Sequence, residues 1–170
     1  ENNLSLNDLV YPLFVVEGKN VKNTIESMPN IYQFSIDKLL FEIDELTKLN
    51  IKNILLFGIP NTKDELGSNS FDENGIIQKT IIEIKKRFDN LFIMTDVCFC
   101  EYTSHGHCGI LKNNLIDNDL TLKYLQKQAL SHVEAGSDLI APSGMIDGMV
   151  KAIRSILDQN NLINIPIMSY

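Results

Sequence analysis

LFIMT (Leu91–Thr95) runs directly into DVCFCEYTSHGHCG (Asp96–Gly109). A short apolar run that breaks into polar, ligand-rich sequence is the pattern of a buried parallel strand delivering side chains to a loop at its C-terminal end. The second segment gathers all three cysteines of the chain and two of its three histidines.

Cys98, Cys100 and Cys108 are close enough in sequence to converge on one zinc ion if the loop folds back, leaving a fourth coordination position free. Neighbouring thiolates repel, and an unperturbed thiol titrates near about 8.5, so ionising the group calls for a cation among them. Spacing alone leaves a disulfide pair or inert buried thiols as alternatives. On an extended strand, Cys98 and Cys100 would point to opposite sides, which makes a bridge between those two awkward.

The rest of the chain repeats the strand-then-loop pattern. Strands are expected at Val10–Val16, Asn53–Phe57, Leu91–Thr95, Asp138–Ala141 and Ile165–Ser169. Between them lie segments with apolar residues three and four apart. These are Ile36–Leu49 (Ile36, Leu39, Leu40, Ile43, Leu46, Leu49), Gly75–Phe88 (Ile77, Ile81, Ile84, Phe88), Leu120–Ala135 (Leu122, Leu125, Ala129, Val133) and Asp147–Gln159 (Val150, Ile153, Ile156, Leu157). Ser35 is placed to cap the first helix, Gly136 to stop the third, and Asp147 to cap the fourth. Alternating strands and helices predict an α/β fold with a parallel sheet. Small and polar residues follow each strand: Gly58 and Pro60, Asp96, Pro142 and Ser143, Ser169 and Tyr170. In a β/α barrel such residues share one functional face.

The totals narrow the function. With 170 residues and 44% hydrophobic content, one domain over 1–170 is expected. A net charge of -7 with scattered Lys and Arg argues against a nucleic-acid partner. No apolar run reaches the length of a membrane span, and ENNLSLNDL lacks the order of a signal peptide, so the chain reads as cytoplasmic, with no membrane partner. It starts without methionine and ends just after a strand-like run, so truncation at both ends is expected.

DVCFCEYTSHGHCGIL (Asp96–Leu111), APSGMIDG (Ala141–Gly148), IPIMSY (Ile165–Tyr170), VYPLFVVEG (Val10–Gly18) and SMPNIYQFS (Ser27–Ser35) together resemble the porphobilinogen synthase (5-aminolevulinate dehydratase) family. The resemblance is collinear over essentially the whole chain. It implies a TIM-type (β/α)8 barrel, of which this N-terminal portion holds about the first five strands. It also implies a hydro-lyase of tetrapyrrole and heme biosynthesis that condenses two 5-aminolevulinate molecules to porphobilinogen with loss of two waters.

Carried over by motif, Cys98, Cys100 and Cys108 match the zinc ligands of the zinc-dependent type. Asp96 and Ser143 match positions lining the pocket for the substrate bound near that zinc. His107 matches a residue that serves an additional, non-catalytic zinc site in some members; its place just before Cys108 is read as supporting a thiolate by hydrogen bond or facing the pocket, with His105 a loop residue and His132 a surface or helix-packing residue. An additional Mg2+ in the full-length protein stays open, and a homo-oligomer, in the octameric form, is implied. Gly144 and Met149 depart from the residues frequent in the family and put local loop shape in question. The family's Schiff-base lysine and its partner lysine have no match here, so the 170 residues alone are expected to give no turnover, and their unpaired strand edges to favour self-association. Two other readings stand beside this one. A non-catalytic zinc-binding α/β module would close its site with His107 or His105, and a metal-dependent hydrolase would need a general base beside the metal, for which Asp96 and Glu101 are the nearby candidates.

Overall fold

In chain order the elements are β1 (Tyr11–Val16), β2 (Lys22–Thr24), β3 (Tyr32–Phe34), α1 (Ile36–Lys48), β4 (Asn53–Ile59), α2 (Ile76–Arg87), β5 (Phe92–Val97), β6 (Leu111–Lys112), β7 (Leu115–Ile116), α3 (Asn118–Ala135), β8 (Leu139–Pro142) and α4 (Met149–Gln159), with single 3-10 turns at Leu6–Asp8 and Ser68–Ser70. They come from a computed structural model describing residues 3–170, so the first two residues of the expected domain lie outside the described residues.

The main sheet has the order β2-β3-β1-β4-β5-β8. β1, β4, β5 and β8 are parallel neighbours joined through α1, α2 and α3, the succession of β/α units that the alternating pattern predicts. Four of the five expected strands therefore form. The fifth is reduced to a parallel bridge between Ile167 and Ile140, with Ile140 donating to the Pro166 carbonyl and Met168 to that of Ile140. Ile165–Ser169 thus lies beside β8 as the next strand would, yet Pro166 has no amide to extend the ladder.

Strand alternation divides the side chains between two layers. One face packs on the helices: Leu13, Val15, Ile54, Leu56 and Ile93 join Leu39, Ile43, Ile77, Ile81 and Ile84 in one cluster. A second cluster joins Val97, Phe99 and Ile140 to Leu125, Ala129, Ile153 and Leu157. The opposite face carries Leu55, Met94, Leu139 and Ala141 with Phe57, Phe92 and Met168, and Phe14 stacks on Phe57 at 5.0 Å. Following this row along the strands leads to Asp96, Ser143 and Tyr170.

The helices start and end within two residues of expectation, with local departures. Leu49 is 62% exposed and Val150 45%, so neither belongs to the buried stripe of its helix. In α4 that stripe is Met149, Ile153 and Leu157. Gly148, in the left-handed region, is the residue before α4, so Asp147 is not its N-cap. Asp147 instead exchanges backbone hydrogen bonds with the Asn118 side chain, tying the start of α4 to the start of α3. Ser35 precedes α1 as expected, but its hydroxyl binds the Asp37 carboxylate and the Val21 amide rather than a backbone amide of the helix's first turn. Gly136 closes α3 with φ +113, a conformation that strains any residue with a Cβ. Among the described residues no helix is long and apolar enough to cross a membrane.

Candidate metal centre

β5 ends at Val97 and the chain turns at once: the amides of Tyr102 and Thr103 both donate to the Phe99 carbonyl at 2.9 Å. The turn drives Phe99 into the core, fully buried, and leaves Cys98 and Cys100 on the same side of the backbone. The extended geometry that would separate the two cysteines is therefore absent. Their sulfurs are 3.2 Å apart, and the Cys108 sulfur joins them so that all three lie within 4.8 Å of one another.

All three cysteines are free, which excludes the disulfide alternative in this structure. Zn–S bonds of about 2.3 Å in tetrahedral array place sulfurs roughly 3.8 Å apart; the three donors already cluster within 4.8 Å, with Cys98 and Cys100 closer than that spacing at 3.2 Å. Soft thiolates also suit zinc chemically. The hydrogen bond from Cys100 lowers the Cys98 thiol to about 6, and the same contact pushes the Cys100 thiol up, as burial does for Cys108. Together the three sulfurs can hold a metal ion.

The loop is braced from three sides. From the segment after β4, Asp64 bridges to Thr103, and its carbonyl accepts from the Ser104 amide at 2.9 Å. Burial acts to raise the Asp64 carboxyl, but the amides of Ser68, Leu66 and Gly67 outweigh it and hold it below the usual range. Gly67 lies at φ +62 where an added Cβ would meet the Phe99 ring at 2.8 Å. From α3, Thr121 accepts from the Ile110 amide, and Gln128 donates to the Cys98 carbonyl at 3.2 Å. Inside the loop, Thr103 donates to the His107 carbonyl at 2.9 Å. Tyr102 is buried, and an added Cβ at Gly58 would collide with its hydroxyl and approach Ile77 at 2.6 Å. Gly58 therefore serves packing on the helix side rather than the functional face.

Asp96 and Ser143 come together. Asp96 pairs with Ala141 across β5 and β8, which places Ser143 two residues on along the same row. Tyr170 donates to Asp96 Oδ1 at 2.9 Å. Burial pushes the Asp96 carboxyl up, while the hydroxyls of Ser143 and Tyr170 oppose the rise. Tyr170 in turn is raised, by burial first and then by the Asp96 charge. A cavity of about 400 Å³ opens here, lined by His107, Cys108, Ile116, Ser143, Met145 and Ile146 among others. No lysine lines it.

The histidines are placed differently. His107 is exposed on the cavity rim and lies outside the three-sulfur donor set. His105 uses both ring nitrogens locally, toward the Glu65 carbonyl at 3.3 Å and the His107 amide at 3.1 Å. His132 is a helix-packing residue, not a surface one: it is fully buried in α3. Glu101 faces Lys63 at 3.8 Å. Sequence reasoning missed Gln128, Tyr102 and the pairing of Tyr170 with Asp96. Polar residues on the buried stripe of α3 (Thr121, Gln128, His132) were a readable signal for the first.

Comparison with known proteins extends these findings. The family model for delta-aminolevulinic acid dehydratase matches residues 1–170. The chain is 54% identical over 170 residues to the delta-aminolevulinic acid dehydratase of Ruminiclostridium josui, covering all of this chain and 83% of that protein. Against that of Methanothermus sociabilis identity is 53%, and against that of Bacillus subtilis (strain 168) it is 47%; the chain spans 53% and 52% of those proteins, about half their length. The fold superposes with TM-score 0.95 and 34% identity on the Toxoplasma gondii ME49 enzyme, solved in complex with the reaction product porphobilinogen, covering all of this chain and 49% of that one. That neighbour is a TIM barrel, so the parallel β/α succession described above corresponds to about half of one. The chain belongs to the delta-aminolevulinic acid dehydratase family.

Proposed function

We propose that this chain supplies the metal-binding wall and one substrate-binding wall of a porphobilinogen synthase, a hydro-lyase that condenses two 5-aminolevulinate molecules to porphobilinogen and releases two waters. The observation that carries the reading is that Cys108 and Ser143 line one cavity, with Asp96 beside Ser143 at the strand ends. Its size suits a small-molecule site.

Cys98, Cys100 and Cys108 are the residues that would hold zinc, and when bound it supplies a site of net charge about -1 that polarises or orients an amine or carbonyl. Asp96 sits where burial raises its carboxyl, so it can take and return a proton on the substrate amine. Tyr170 donates to Oδ1 of Asp96, and the Ser143 hydroxyl addresses the same carboxylate, so the three groups form one hydrogen-bonded set at the pocket. The Ser143 hydroxyl offers a donor and an acceptor at the pocket wall, and Ile116, Met145 and Ile146 supply an apolar side. His107, on the rim, is placed to meet ligand or an extra metal rather than to close the cysteine site. The covalent chemistry falls to lysines with no match among these residues, so the 170 residues alone give no turnover. The reading carries a cytoplasmic location and assembly of the full-length protein as a homo-oligomer, with the octamer as its form; an additional Mg2+ site would belong to that protein.

A structural zinc module is disfavoured because the nitrogens of His105 are engaged by backbone groups and neither histidine joins the donor set. The test is steady-state kinetics of the full-length protein with Ser143→Ala. Loss of one substrate hydrogen bond is expected to raise KM for 5-aminolevulinate about tenfold with metal content unchanged. Unaltered kinetics would remove Ser143 from the pocket.

A further inference from the structure

The seam between α2 and α3, directly beneath the cysteine loop, is buried but polar. Gln78, Gln128 and His132 are 0–1% exposed, and Ser70 and Asn69 border them. Gln78 donates to the Ser70 carbonyl at 3.0 Å and to the Ser131 hydroxyl at 2.7 Å. Gln128 spends its donor on the Cys98 carbonyl, while its own Oε1 has no protein partner. His132 follows one turn later on the same face, with both ring nitrogens unpartnered. Buried polar groups left without partners cost stability, and an apolar side chain would avoid that cost at position 128. The one contact that Gln128 makes with the loop is therefore informative. It reaches across from a helix to the backbone of the most buried of the three cysteines and anchors the peptide that leaves the Cys98 Cα.

Resting on the reading of Cys98, Cys100 and Cys108 as metal ligands, we propose that Gln128 is a positioning residue for the metal centre: its side-chain amide locks the Cys98 peptide so that the Cys98 sulfur faces the other two before metal arrives. Outer hydrogen bonds of this kind typically govern metal affinity by 10- to 100-fold. Gln126 supplies a matched control. It lies on the same helix and donates from the same group to a backbone carbonyl, but to Ala152 in α4 at 2.9 Å, away from the cysteine loop.

The experiment compares Gln128→Met and Gln126→Met in the full-length protein. Metal affinity is measured by chelator competition with Zn2+, and site geometry by the thiolate charge-transfer and ligand-field bands of the Co2+-loaded form. Gln128→Met is expected to weaken Zn2+ at least tenfold and to shift the Co2+ bands, with Gln126→Met matching wild type in both. Wild-type affinity and spectrum in Gln128→Met overturn the proposal, as does an equal loss in both variants, which would mark a general effect of disturbing α3. If Gln128→Met does not fold, Gln128→Asn, which keeps the amide but is one methylene too short to reach the Cys98 carbonyl, is read by the same criteria. Cys98→Ser is the separating arm: unchanged zinc content there would sink the three-cysteine reading itself, whatever Gln128 does.

Discussion

The wedge between the sheet and helices α1 and α2 and the seam between α2 and α3 are buried to the same degree and made of opposite materials. In the wedge, Leu39, Ile43, Leu56, Ile77, Ile81 and Ile84 are at most 1% exposed and wholly apolar. In the seam, Gln78, Gln128 and His132 are equally inaccessible, and partnerless polar atoms lie on all three. Each fully buried aliphatic side chain contributes about 1.5–3 kcal/mol, whereas an unsatisfied buried polar group costs about 1–3 kcal/mol. The wedge therefore holds the fold together, and the seam gives up stability next to the loop that carries the cysteines. Burial by itself does not say which of these a region does.

The comparison breaks most visibly in the wedge. Leu56→Ala, at a fully buried site on β4, is expected to destabilise the full-length protein by about 2–5 kcal/mol in urea titration while zinc content stays at wild type. Coupled loss of metal would mean that the two regions are not separable.

The seam should show itself through pH. Burial lowers His132 from 6.5 to about 4, and the Ser70 carbonyl acts weakly in the opposite sense without meeting hydrogen-bond geometry at either ring nitrogen. Between those values the unfolded chain binds the proton and the folded one does not, so stability is full above about 6.5 and falls as pH drops toward 4. The loss is about 3 kcal/mol at 1.36 kcal/mol per unit. Metal-free protein isolates this from proton competition at the cysteines. His132→Leu should flatten the slope, and an unchanged slope would show that the imidazole is not the group responsible.

The smallest effect belongs to the rim of both regions. Lys85 pairs with Asp138 at 2.8 Å where both side chains are about one-third exposed. Asp138 keeps its bond to the Ile93 amide without Lys85. Lys85→Ala is expected to cost less than about 1 kcal/mol, shrinking further in salt. A larger loss in thermal unfolding would mark the pair as structural.

The wedge was readable in the sequence because its signals are local. Continuous β-branched runs and apolar residues three and four apart place β1, β4, β5, β8 and all four helices. The edge strands were not: Lys22–Thr24 is fully exposed and carries no apolar pattern, and it forms only by antiparallel pairing with Tyr32–Phe34. The β6–β7 hairpin was overlooked although Asn113 and Asn114, at φ 53 and 61, are the residues that a tight turn of that kind prefers. At the site, residue types pointed to the cysteines, but their convergence depends on the turn around Phe99, a non-local consequence of burying that ring. Gln128 was only half legible: its place on the buried stripe of α3 marks it, but its partner, the Cys98 carbonyl, lies on another element. The pairing of Tyr170 with Asp96 spans 74 residues and depends on Ile167 bridging to Ile140, which sets the segment beside β8.

Whether three sulfurs from one loop form the metal centre of this family member is decided by the zinc content of the purified full-length protein in wild type and in Cys100→Ala. Zinc bound in the wild type and lost in the variant, with the fold intact by circular dichroism, is the expected outcome. Metal content unchanged by the substitution would contradict it.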